Sequence, residues 1–191
     1  RSYYGVLAES WEFQGKRWTI KLRKNVRFHD SSPFTAKDVV YSINRMKNDK
    51  LSLQKENFRD FVEVQAADDH TVIITTEQPV VLLLDRLQNR FIFSKSGMEA
   101  QGDQPDVKPI GTGPYKFQSW QRDGNLVMVR NDSYWGQKPS IREIVVRRVK
   151  EDSARVAGLL AGQGDVTNNV PVEELARFDN HPRIRAEKVE G

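Results

Sequence analysis

The sequence predicts a mixed α/β fold, α+β in its first part and α/β in its second, and three observations carry that expectation. An early capping box opens an amphipathic helix. Two hairpin signals follow it, around Asp68–His70 and around Arg122–Gly124. From Arg142 onward the pattern orders strand, helix, strand, helix, strand, the mark of an α/β layer.

Each element has a local reason. "RWTIKL", Arg17 to Leu22, alternates polar and apolar residues with β-branched and aromatic side chains, which predicts a half-buried strand. "VRFH", Val26 to His29, predicts a short strand after a turn at Lys24-Asn25. Thr35 is placed to cap a helix, with Asp38 three residues on reaching back to it. Val39, Val40, Ile43 and Met46 then fall on one helical face. The polar stretch from Asn48 to Asp60 has no clear period and is expected to be a loop. Val62–Gln65 and Thr71–Thr76 predict a hairpin turned by Asp68, Asp69 and His70. Pro79 suits the first turn of a short apolar helix through Gln88, and a polar segment runs from Ser94 to Lys108.

Beyond it, "YKFQSW" and "NLVMVR" predict a second hairpin, and Arg142–Val149 a further strand. "EDSARVAGLLAG" predicts a helix ended near Gly162. A strand at Asp165–Thr167, a helix from Pro171 to Phe178 and a strand near Arg183–Val189 complete the expected order. A composition shift near Gly111–Gly113 divides the expected lobes, 1–110 and 111–191.

Composition excludes several classes. Hydrophobic residues at 38 % and charged residues at 29 % fit a globular chain able to build a core. The longest uncharged apolar run, Pro79–Leu84, is too short to span a bilayer. A net charge of +4 is spread among interleaved acids and bases, without the basic stripe of a nucleic-acid binder. The absence of cysteine removes disulfides, thiolate metal sites and cysteine nucleophiles. The chain starts at Arg1 without a targeting segment, so such a segment is expected to have been removed, or the chain to be a fragment.

"PIGTGPYKF", Pro109 to Phe117, raises a phosphate loop first. A P-loop needs Gly-Lys-Ser or Gly-Lys-Thr opening a helix, whereas here Pro114 removes a donor and a strand follows. The better reading is a sharp turn between lobes, with glycines freeing the backbone and Pro114 fixing one φ. His29, His70 and His181 lack metal-ligand spacing and are expected in surface loops. Ser31, Ser32 and Ser42 lack a nucleophile elbow, and no catalytic constellation stands out, so no cofactor, metal or enzymatic activity is expected. Trp11, Trp18, Trp120 and Trp135 read as core anchors or as pocket walls, the core reading being favoured by alternation at Trp18 and Trp120.

Four ordered stretches, "LAESWEF…WTIKLRKNVRFHDSSPFTAKDVVYSINRM", "PIGTGPYKF", "VRNDSYWGQKP" and "ARVAGLLAGQGDV", resemble the family 5 extracellular solute-binding proteins of bacterial ABC importers, the dipeptide, oligopeptide and nickel-binding type. Where that family usually has Asp-Gly-Thr or Asp-Gly-Ser, this chain has Asp30-Ser31-Ser32, which puts a tight turn in doubt. Where it commonly has Gly-Glu-Ile-Asp or Gly-Glu-Val-Asp, this chain has Gly162-Gln163-Gly164-Asp165, which leaves the following strand intact.

The resemblance implies a periplasmic-binding-protein-like fold of the large peptide-binding type, here an internal fragment with a further lobe outside it. It implies a clam-shell that captures a peptide or similar solute, closes about hinge segments and docks on a membrane permease. It further implies a monomer, outside the cytoplasm in the periplasm or at the cell surface, with a lipoprotein anchor as one form, and weak or no binding by the fragment alone. Gly111, Thr112, Gly113 and Tyr115 are the expected hinge or ligand-facing residues, with Thr167, Asn168 and Asn169 beyond a strand end. Helix capping before Pro171 is the other reading of Asn168 and Asn169. A solute sensor or chaperone-like peptide binder on the same scaffold, or a hydrolase, are the alternatives.

Overall fold

The computed structural model describes residues 3–50, 52–102, 108–179 and 181–187. β1 (Ala8–Gln14) and β2 (Arg17–Leu22) form a hairpin around Gly15, whose φ of 62° suits a residue without a Cβ. The alternation read in β2 is met: Trp18, Ile20 and Leu22 are buried. β1 lies where the sequence pattern assigns no element, and pairs Phe13 with Trp18, their rings stacked 4.8 Å apart.

α1 (Ala36–Asn48) opens as expected, with Asp38 Oδ2 accepting the Thr35 backbone N–H at 2.8 Å and its hydroxyl at 3.0 Å. The other Asp38 oxygen accepts the Lys95 N–H at 2.9 Å, so one buried carboxylate ties α1 to a segment 57 residues away. β3 (Phe61–Asp68) and β4 (Thr71–Thr76) form the expected hairpin, and the Asp68 carboxylate accepts the His70 N–H at 2.7 Å inside the turn. That bond, then one from the Thr71 side chain and the field of Lys21, holds the Asp68 carboxyl below the usual carboxylate range. The four strands make an antiparallel sheet of order β1-β2-β4-β3.

α2 (Leu83–Leu87) and α3 (Lys95–Ala100) follow. β5 (Tyr115–Trp120), β6 (Asn125–Arg130) and β7 (Glu143–Arg147) form a second sheet in that order. α4 (Asp152–Leu160) ends in a Schellman motif: Gly162 at φ 72° donates to the Leu159 carbonyl at 3.0 Å, and Gln163 to the Gly158 carbonyl at 2.8 Å.

Two compact units result, Arg1–Ser119 with Val127–Ile144, and Trp120–Leu126 with Val145–Gly191. In the first, Trp18, Ile20, Leu22, Val72 and Ile74 of the sheet meet Val39 and Ile43 of α1 and the aromatic pair Phe58 and Phe61. Burying each such side chain contributes about 1.5–3 kcal/mol before entropy is set against it. In the second, the buried large apolar side chains among the described residues are Val156 and Phe178.

Several expected elements are not formed. Val26–His29 makes no full strand, only an isolated antiparallel bridge between Arg27 and Pro33, in which the Phe34 N–H donates to the Val26 carbonyl at 3.0 Å and the Phe28 N–H to the Ser32 carbonyl at 2.9 Å. The doubted turn nonetheless forms, with Ser31 at a φ of 72° where a Cβ is strained. The stretch from Asn48 to Asp60 carries a 3-10 helix, Lys55–Phe58, that delivers the fully buried Phe58 edge-on to Phe61. Pro79 does not open a helix. The indole N–H of Trp18 donates to the Val80 carbonyl at 3.0 Å, and Val81 and Leu82 form a turn before the helix starts at Leu83. Residues Asp165–Thr167 form no strand, Pro171 precedes a 3-10 helix (Val172–Phe178) instead of opening an α-helix, and residues 183–187 are irregular. Residues 188 and 189 of the last expected strand lie outside the described residues. The strand–helix alternation expected beyond Arg142 is therefore present only as β7 and α4 among the described residues.

Candidate functional site

The loop Gly111–Pro114 is built by three stretches far apart in sequence. The Gly111 carbonyl accepts the His29 backbone N–H at 2.8 Å, and the Thr112 carbonyl accepts the Trp135 indole N–H at 3.1 Å. The Gly113 carbonyl takes both the His29 Nε2–H at 3.0 Å and the Asn131 Nδ2–H at 3.2 Å. The Pro114 carbonyl accepts the Asn131 backbone N–H at 2.8 Å. Every carbonyl from 111 to 114 thus has a donor, which fixes the loop's path without regular secondary structure.

The bonds at His29 set its tautomer. Gly111 donates its N–H to Nδ1 at 3.2 Å, so Nδ1 is the acceptor and Nε2 carries the proton. Burial holds this imidazole below its ordinary pKa, against the raising effect of the Gly113 carbonyl; the charge of Lys116 lowers it further and that of Asp30 raises it. Lys116 Nζ also donates to the His29 carbonyl at 3.3 Å. Trp135 is held on its other side by Arg23, whose guanidinium lies 4.7 Å from the ring centroid.

Of the residues expected at the site, Gly111, Thr112 and Gly113 are held in this cluster. Tyr115 opens β5 with its hydroxyl donating to the Ile141 carbonyl at 3.1 Å. The glycines are not there for conformational freedom: neither has a positive φ, a Cβ on Gly113 would meet nothing within 4 Å, and one on Gly111 would touch the His29 ring at an ordinary 3.6 Å. Thr167, Asn168 and Asn169 belong to the second unit, in irregular chain with no strand before them. Asn169 has a φ of 52°, a conformation asparagine tolerates, and its carbonyl accepts Arg155 Nη2 at 3.2 Å. The residue capping the following 3-10 helix is Pro171, without a side-chain bond, so neither asparagine caps it.

His29, Asn131 and Trp135 carry most of the loop's architecture, and Arg155 holds the chain around Asn169 in the second unit; sequence reasoning gave them no role there. Arg155 alone serves four acceptors, the carbonyls of Val149, Lys150 and Asn169 and the Asp152 carboxylate. The three histidines lie in turns or irregular chain, as expected, and each is partly buried. His29 is half-buried, His70 has its Nδ1 buried without a hydrogen-bond partner, and the His181 Nδ1 accepts the N–H groups of Arg183 and Ile184. Trp18 is in the core as expected, whereas Trp120 is 58 % exposed.

The first unit also carries a cleft of about 710 Å³ lined by Glu56, Asn57, Arg59, Asp60, Glu77 and Arg86. Arg86 grips both Asp60 oxygens there, at 2.6 and 2.8 Å, and Arg59 pairs with Glu56 at 3.6 Å, so both of its cations already have partners. We therefore place the candidate site at the loop, where three separate sequence motifs converge, and not at this cleft.

The glutathione-binding protein GsiB of Pectobacterium atrosepticum is 28 % identical over 94 % of this chain and 36 % of its own length. The dipeptide-binding protein of Escherichia coli K12 is 31 % identical over 97 % of this chain and 40 % of its own. The structure of the PBP/SBP MoaA in complex with mannopinic acid, from A. tumefacien R10, superposes with a TM-score of 0.88 at 31 % identity, covering 94 % of this chain and 38 % of that one. The chain thus spans well under half the length of the relatives it matches. Solved relatives of this kind are periplasmic binding proteins, a non-enzymatic class whose members hold peptides or small molecules. The profile of the bacterial extracellular solute-binding proteins, family 5 Middle, matches residues 2–191, and the chain belongs to that family.

Proposed function

We propose that this chain is part of the ligand-binding component of a bacterial ABC importer, which captures a peptide or similar small solute in a cleft between lobes and delivers it to a membrane permease. The observation that carries this reading is the family match across residues 2–191. The ligands named for its relatives, glutathione, dipeptides and mannopinic acid, are small polar solutes and support the same ligand class. The complete protein acts in the periplasm or on the outer face of the cell, either free or held by a lipid anchor. Among the described residues no helix is long and apolar enough to cross a membrane.

In this reading Gly111, Thr112, Gly113 and Tyr115 form a hinge or ligand-facing edge, and Thr167, Asn168 and Asn169 a second one, with lobes divided at 110/111. Support for a ligand-facing edge in the first group comes from the fixed carbonyls of the loop, since a rigid backbone loses little entropy when a ligand meets it. Closure then follows from differential affinity: ligand touches the closed arrangement more than the open one and shifts the population toward it. A micromolar solute supplies about 8 kcal/mol to be divided between binding and closure. This chain by itself binds weakly or not at all, because a cleft needs both walls.

Isothermal calorimetry of the complete protein against dipeptides, glutathione, mannopinic acid and nickel–histidine tests the reading. One of these classes is expected to bind with a stoichiometry of one. Silence across all of them, together with hydrolysis of any, would sink it.

A further inference from the structure

We propose that His29 is a pH-sensitive latch on the loop Gly111–Pro114, closed while its ring is neutral and released when the ring is protonated. The inference concerns the chain's own conformational response and does not depend on any ligand.

The geometry is specific to one protonation state. Nδ1 accepts the Gly111 N–H at 3.2 Å while Nε2–H donates to the Gly113 carbonyl at 3.0 Å, so a single ring spans two residues of the loop, one as acceptor and one as donor. A proton added at Nδ1 converts the acceptor into a second donor facing the Gly111 N–H. That contact becomes repulsive, and the Gly111 amide loses its partner. The other bond, to Gly113, survives protonation, as does the backbone bond from His29 N–H to the Gly111 carbonyl at 2.8 Å. Protonation therefore loosens one end of the loop and does not unfold it.

The charged groups around the ring set where this happens. Lys116 of β5 disfavours the cation and Asp30 of the histidine's own segment favours it. Asp30 is partly occupied, its carboxylate accepting the Ser32 N–H at 2.9 Å and hydroxyl at 2.6 Å. Residues 109–114 contain no ionisable side chain, and the segment packed on the loop's far side contributes Asn131 and Trp135, which do not titrate. Burial outweighs these fields and favours the neutral ring. The latch is accordingly closed at neutral pH and opens as pH falls below the ordinary histidine value of 6.5. A protein exposed to the medium outside the cytoplasm would meet that range, whereas one in buffered cytosol would not.

The test is nitrogen-15 NMR of the complete protein, labelled at histidine and glycine, between pH 8 and pH 5. Long-range ring correlations are expected to report the Nε2–H tautomer of His29 at high pH. The protection factor of the Gly111 amide is expected to fall in step with the ring's titration, with a midpoint below 6.5 and a loss of about tenfold per pH unit beneath it. A His29→Gln variant, whose amide offers one acceptor and one donor but no proton to titrate, is expected to lose this pH dependence. An Nδ1–H tautomer, protection unchanged while the ring titrates, or the same loss of protection in His29→Gln would each overturn the proposal. If the variant fails to fold, the tautomer and the protection profile of the native sequence decide alone.

Discussion

The two units use the same alphabet to different effect. In the first, β2 and β4 stack Trp18, Ile20, Val72 and Ile74 beneath α1, and nearly every apolar side chain the period places inward finds a cover. In the second, Val156 and Phe178 are covered while Val145, Val146, Val166 and Val172 are 47 to 88 % exposed. The contrast teaches that alternation marks which side chains could be buried, and neighbours decide which are. Polar staples take over where neighbours are few: Arg155 gathers three carbonyls and a carboxylate in the second unit. In the first unit such staples work beside a packed core, the buried Asp38 carboxylate accepting the Thr35 and Lys95 N–H groups.

The largest expected effect compares like with like. Phe58→Ala, at a side chain that is fully buried against Phe61, is expected to cost about 3–5 kcal/mol in denaturant unfolding, because a close-packed surround cannot collapse onto the cavity. Phe178→Ala is expected to cost clearly less, since its surround is looser. Equal losses at the two sites would remove the distinction between the units. Next, Asp38→Ala strips an acceptor from the Thr35 and Lys95 amides together and is expected to cost about 1–3 kcal/mol by the same measurement.

Glycines sharpen the point further. A Cβ on Gly97 would lie 2.9 Å from Ile110 Cδ1, 3.1 Å from Ser94 Oγ and 3.2 Å from an Asp30 oxygen, so Gly97→Ala is expected to lower stability by about 1 kcal/mol once the helix preference for alanine is set against the crowding. Gly113→Ala, with open space around the added carbon, is expected to leave thermal stability within about 1 kcal/mol, on the stabilising side. A large loss at Gly113 and none at Gly97 would reverse the assignment of which glycine the fold requires.

The smaller effects are local. The His29 pKa is depressed in the fold, so the unfolded chain binds the proton more readily. Its contribution to stability is full above the unfolded value of about 6.5 and is lost as pH falls through the lower folded value. Unfolding midpoints at pH 7.5 and pH 5 are expected to lie closer together in His29→Gln than in the native sequence. Ser31→Gly relieves a left-handed conformation at φ 72° and is expected to raise stability by about 1 kcal/mol, as measured by the denaturant midpoint.

What was legible in the sequence is what local physics decides. The Thr35–Asp38 box, the β3–β4 turn at Asp68 and the Gly162 helix end each depend on bonds within a few residues, and each forms. Phe58 was illegible because a lone aromatic in a polar stretch has no period, and its burial depends on Phe61 and α1. Asp165–Thr167 shows the converse: three alternating residues satisfy a pattern, yet form no strand among the described residues. At the candidate site the glycines and Pro114 drew attention, but the residue that holds them is His29, whose partners lie 82 and 84 positions away. No short-range signal reaches that far. The resemblance brought the three stretches into one family without saying that they meet at one loop.

The most direct measurement is native mass spectrometry of the complete protein, followed by chemical identification of what it carries. One intact small solute per chain, recovered unchanged after denaturation, is the expected result. A solute recovered cleaved, or a protein that retains none and takes up none from a mixture of peptides and small polar acids, would show that it is not a solute-binding protein of this kind.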